Sequence, residues 1–313
     1  MTSIQIIFPT KGDILASKSS KERVRRAAPP ASKSESGDAP LPGQLEKQFR
    51  LLLGRHNHHF NLLEVAAHDF ADILGKQSSE AAYIRTRAIK MGQHSVYPHA
   101  TFASARNYLI YSHISYVFSA GDVICKRIRA TARMKALKTE SKSFFDEINT
   151  GDFVRKTLAL AVLGTLPPEQ RDAETVNAKV EQIRSLEPFA LVDYFRIVRN
   201  EELHSKGEAE QRVSEARDAL PEAKIRVLYG EMPSSADQLS AQDALLCSKA
   251  WQDVVRWLCR HMLNDAEAHA LLKSTFGGRL HGERRATAAG KFMQFELLYS
   301  KEDIANGLSA MGW

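Results

Sequence analysis

The chain reads as an all-α protein: a helical bundle with an N-terminal helical extension and a disordered N-terminal tail. Three observations predict this. Apolar residues recur at three- and four-residue spacing through most of the chain beyond Gly43. Gly, Pro and polar cap residues punctuate that pattern at helical lengths. Strand-like patterning is confined to two short runs, SIQIIF near the start and MQFELLY near the end.

The bulk numbers bound the class. A hydrophobic share of 43% with 26% charged residues is that of a soluble globular chain. A length of 313 residues allows one large or two modest domains. The net charge of +6 permits a polyanionic partner without requiring one. Cys125, Cys247 and Cys259 form no CxxC pair, and no secretory signal opens the chain, so a reducing, cytoplasmic compartment is expected. Residues 107–121 carry no formal charge apart from His113. They fall short of the roughly 20 residues that span a bilayer, so they are read as a buried core helix and no membrane association is expected.

Residues 1–42 are read as a flexible tail, too poor in large apolar residues to order itself. Its basic run from Lys18 to Arg26 is either a solvated linker or a contact for nucleic acid or anionic lipid. Residues 43–97 form an N-terminal helical segment, with Phe49, Leu52, Leu53, Phe60, Leu63, Ala67, Phe70 and Leu74 at helical spacing and Gly75 as a stop. A shorter helix covers 79–91, and Tyr97-Pro98 breaks the pattern. The bundle proper is placed at 98–265. It opens with one long helix from Phe102 to Leu137, followed by helices over SKSFFDEIN, VRKTLALAVL and 172–186. The next helix starts near Pro188, well placed in a first turn, and ends before Gly207. Residues 208–238 read as loop-rich, and the segment from Ser240 as another long helix. In the C-terminal extension, 266–313, GGRLHGERRATAAGK reads as loop, MQFELLY as strand and KEDIANGLSAM as helix.

The helix from Pro188 to Lys206 carries the chemistry. At about 100° per residue, Leu191, Tyr194, Phe195 and Val198 share one side, and Asp193, Arg196, Asn200 and His204 share the other. Asn200 and His204 are four apart and neighbours on the helix surface, with Arg199 beside them. His204 near a helix end is favoured as an imidazolium by the exposed carbonyls there, which suits proton transfer near neutral pH. Guanidinium forks match phosphate oxygens. Together they point to RNA cleavage, with His204 moving a proton and Arg199 offsetting phosphate charge.

Arg199-Asn200-x-x-x-His204 resembles the Arg-polar-x-x-x-His signature of the HEPN-domain family. The resemblance covers about residues 98–265. It implies a helical bundle and either a metal-independent endoribonuclease of prokaryotic defence or toxin-antitoxin systems, or a non-catalytic RNA- or protein-binding module. It also implies a homodimer in which two motif copies form one composite site, and an antitoxin or sensor partner. Arg199, Asn200 and His204 are the catalytic candidates; no metal and no cofactor are expected. Arg196 and Asp193 join them as RNA-binding candidates. Lys126, Arg127, Arg129 and Arg133 are either a guide for an RNA backbone or a solvated face. Arg106-Asn107-x₅-His113 fits a looser spacing, but its apolar surroundings make it a structural Arg and a hydrogen-bonded core His. The cluster His56, His58, His59 and the ridge Glu64, His68, Asp72 read as a hydrated polar face, because adjacent helical histidines diverge rather than converge on an ion.

Overall fold

A computed structural model describes residues 40–93, 101–204, 208–235, 239–278 and 280–313, without the side chains of 201–210. SIQIIF, the run Lys18–Arg26, Tyr97-Pro98 and Gly207 lie outside them. The described residues are helical throughout and contain no strand.

Capping chemistry sets most helix starts. α1 (Pro42–Leu74) begins with Pro in its first turn and stops at Gly75. Ser79 starts α2 (Glu80–Lys90) and Thr101 starts α3 (Phe102–Arg129), each accepting a backbone N–H three residues on. Asp152, Asp172 and Ser240 do the same for α6 (Phe153–Thr165), α7 (Ala173–Arg184) and α11 (Ala241–Arg260). Between them lie α4 (Ala132–Glu140), α5 (Phe145–Ile148), α8 (Glu187–His204), α9 (Glu208–Asp218) and α10 (Glu222–Tyr229). Asn264 and Ser300 cap α12 (Asp265–Phe276) and α14 (Lys301–Ala310), which flank α13 (Gly282–Phe295).

Three expectations change. The long helix from Phe102 is two helices, because Thr131 turns extended to head α4 while its hydroxyl donates to the Ile128 carbonyl at 2.8 Å. The loop-rich stretch 208–238 holds α9 and α10. Where a loop over GGRLHGERRATAAGK and a strand over MQFELLY were expected, α13 runs from Gly282 to Phe295, and the rest of MQFELLY follows it without forming a strand. α14 meets it closely at Gly307, where a Cβ would fall 2.6 Å from the Met293 side chain.

α11 is the central helix, packed by α1, α3 and α8; α3 also meets α6, which is buried from Leu158 to Leu163. α1 thus shares its core with the bundle helices α3 and α11. Trp251 fills the middle, with Phe118 edge-on at 5.2 Å and Phe49 at 6.3 Å. α3 approaches it closely enough that a Cβ on Gly121 would fall 2.1 Å from the indole. Cys125, Cys247 and Cys259 are buried free thiols; burial pushes Cys125 up to about 12, which removes it as a nucleophile at neutral pH. A second apolar cluster, with Ala268, Leu272, Ala289, Met293 and Leu297, holds α12 to α14 together. No described helix is long and apolar enough to cross a membrane.

Candidate functional site

α8 buries Leu191, Tyr194, Phe195 and Val198, the side the helical wheel assigns to the core. Its opposite side divides in two. Towards the N-terminus, Asp193 accepts from Arg184 of α7 at 2.6 and 3.0 Å. Arg196 pairs with Asp193 at 3.4 Å and with Asp152 at 3.2 Å. Asp152 meanwhile caps α6 through the Arg155 N–H at 2.9 Å. Arg196 and Asp193 are therefore committed to a network tying α6, α7 and α8. The wheel showed their shared face but not the partners that other helices supply.

Towards the C-terminus, Arg199 lies over the Phe118 ring, 4.6 Å from its centroid. Its Nε and Nη2 donate to Asn200 Oδ1 at 3.2 and 3.0 Å. Among the described residues, which exclude the side chains of 201–210, the guanidinium makes no other hydrogen bond. The aromatic face and the amide fix its plane. His204 is the last residue of α8, four positions after Asn200 on the same ridge; its side chain lies outside the described residues.

Sequence reasoning missed Asp122 of α3. Among the charges acting on this half-buried carboxylate, Arg199 has the largest effect. Burial holds its carboxyl above the usual range, against the pull of Arg199; Asp152 adds to the rise and Lys126 opposes it. The available signal was a lone acid one residue past the most apolar stretch of the chain. A solvated face would not be expected there.

The basic stretch after Asp122 does not act as one surface. Lys126, exposed and set over Phe153 at 4.6 Å, stays near Asp122. Arg127 is exposed and donates to Gln48. Arg129 donates to Asn149 at 2.8 Å. Arg133 turns inward, donating to the Gly164 carbonyl and pairing with Glu267, both at 2.8 Å. It ties α4 to α6 and α12 and is spent on structure.

The looser match separates into structural parts. Arg106 pairs with Glu64 at 2.8 Å. His113 is buried against Phe60 and His56, with Nε2 3.0 Å from Ser248 Oγ and Nδ1 without a partner. Ser248 donates to the Ala244 carbonyl, so the imidazole carries its proton on Nε2. Burial, with His56 beside it, lowers the His113 pKa to about 4. Its unfolded value is near 6.5, so stability is full above that pH and falls as pH drops from about 6.5 to 4, by about 3 kcal/mol in all. Urea titrations across that window should show this loss, and His113→Phe should reduce it; an unchanged pH dependence in the variant would assign the acid sensitivity elsewhere.

Glu64 being paired with Arg106, the ridge with His68 and Asp72 does not converge. Among the described residues no group of three or more His, Cys, Asp or Glu side chains could hold a metal ion. No protein-family model, curated protein or solved structure matches the chain.

Proposed function

We propose that the chain is a metal-independent endoribonuclease of the HEPN type, acting at Arg199, Asn200 and His204, in prokaryotic defence or as a toxin. The observation that carries the reading is Arg199: a guanidinium oriented by Asn200 and Phe118, acting electrostatically on the half-buried Asp122, on the helix that ends in His204. A phosphodiester held on that fork needs two proton-transfer groups, for which His204 and Asp122 are the candidates.

The reaction balances without a cofactor. The RNA 2'-oxygen attacks the adjacent phosphorus, its proton passing to the base. The phosphorus–5'-oxygen bond breaks, and the leaving oxygen takes a proton from the acid. His204 and Asp122 fill these two roles, and Arg199 offsets the charge gathering on the phosphoryl oxygens. A carboxyl whose pKa is raised by burial is better matched to proton transfer near neutral pH than an exposed one. With Asp122 on the same chain, the second proton group need not come from a twofold partner. Lys126 and Arg127 are the exposed cations left to meet the flanking RNA backbone.

The purified chain should cut single-stranded RNA in excess EDTA and leave DNA of the same sequence intact, since DNA lacks the 2'-hydroxyl. A requirement for Mg²⁺, or equal cutting of DNA, overturns the mechanism. RNA binding without cutting would leave the non-catalytic module in its place.

A further inference from the structure

We propose that the chain forms a twofold antiparallel dimer through the outer face of α1, independently of the ribonuclease reading. α1 has 33 residues and turns Phe49, Leu53, Phe60 and Leu74 inward to α3 and α11. The face directly opposite would ordinarily be polar. Instead Leu51, Leu62, Val65 and Ile73 stand on it with 56%, 68%, 61% and 42% of their surface exposed. Arg55, His58, Ala66 and Asp69 share the stripe and are exposed too. Positions 51, 55, 58, 62, 65 and 69 alternate steps of four and three, the spacing of a seam that faces another helix.

The order of residues along the stripe identifies the occupant. An isologous interface requires a patch that complements itself. Set a twofold axis at Leu62 and run a second α1 antiparallel. Leu62 then meets its own copy, Leu51 meets the partner's Ile73, His58 meets the partner's Ala66, and Arg55 meets the partner's Asp69. Leu62 and the Leu51–Ile73 pair stay apolar on apolar, Val65 and His58 fall on the partner's His59 and Ala66, and the two charged positions fall on opposite charges, twice by symmetry. A parallel pair in register would set Arg55 on Arg55 and Asp69 on Asp69, so the charges select the antiparallel arrangement. The seam from 51 to 73 runs about 33 Å. It faces away from α3 and α11, on which α8 also packs. This is not the surface that a composite site built from two α8 ends would use, and each Arg199 keeps the groups of its own chain.

Light scattering on the full chain, whose monomer mass is 35.0 kDa, should show a dimer at micromolar concentration. Leu62→Lys, at a mostly exposed position, should give a monomer with an unchanged circular dichroism spectrum. Arg55→Asp and Asp69→Arg should each weaken association at least tenfold, and the double variant should recover it, since the charges are then exchanged but still opposite. Leu62→Cys should form a disulfide-linked dimer under mild oxidation, because the native cysteines are buried. A monomeric wild type, a dimer indifferent to Leu62→Lys, or a double charge swap no better than its single variants overturns the proposal. A disulfide that forms at Glu201→Cys but not at Leu62→Cys overturns it too, and returns the interface to α8. Loss of RNA cleavage with the dimer intact would refute the ribonuclease reading alone.

Discussion

His204→Ala is expected to lower RNA cleavage by about 10²- to 10⁴-fold, the range for removing a positioned proton-transfer group. Backbone affinity rests on cations elsewhere, so RNA binding should stay within about twofold, as read by fluorescence anisotropy at fixed salt. The melting temperature should move little, because position 204 is the last residue of α8. Arg199→Ala should cost both cleavage and binding, and some stability as well, since the guanidinium covers the Phe118 ring. A fall of many degrees in the His204→Ala melting temperature would make that residue structural. Asp122→Asn gives an independent reading. It should lower the maximal rate and remove one limb of the pH–rate profile, which a purely structural role would not do.

Trp251→Ala is expected to cost about 3–5 kcal/mol in urea unfolding, the range for emptying a large aromatic site in a core. The indole is fully buried, with Phe49 and Phe118 against it and the backbone of Gly121 on another side. Gly121→Ala should cost about 1–3 kcal/mol, because its new Cβ would enter the indole and the ring is hemmed in. The two changes should not add. Once Trp251 is alanine, the methyl at position 121 fills part of the vacated space, so the double variant should be more stable than the sum of the singles implies. Additive costs would mean that α3 and α11 do not meet closely at this point.

How much of this was legible in the sequence differs by element. The all-α class and most helix starts could be read from cap residues such as Thr101, Asp152, Asp172 and Ser240, whose side chains act locally. The break at Ala130-Thr131 could not: neither residue is a strong helix breaker, and the packing of α4 on α6 that accompanies it joins residues far apart in the chain. α13 was obscured because its small residues look like loop residues until α12 and α14 are present to pack against them. In the site, the pairing of Arg199 with Asn200 follows from adjacency on one helix. The neutralisation of Arg196 by Asp152 and the inward turn of Arg133 depend on residues tens of positions away, which a wheel does not show. Asp122 was visible only as an acid in an unlikely place. The outer stripe of α1 was not read: helical spacing picked out Leu63, which is 51% exposed, and passed over Leu51, Leu62, Val65 and Ile73, because periodicity alone does not say which apolar face the core leaves uncovered.

The most direct test of the central claim is the chemistry of the ends left on cut RNA. The wild-type chain, in chelator, should leave a 2',3'-cyclic phosphate on one fragment and a 5'-hydroxyl on the other, and a single 2'-deoxy substitution at the scissile nucleotide should block cutting there. Fragments with a 5'-phosphate, or cutting that survives the 2'-deoxy substitution, would contradict an internal 2'-oxygen nucleophile and with it the roles given to His204, Asp122 and Arg199.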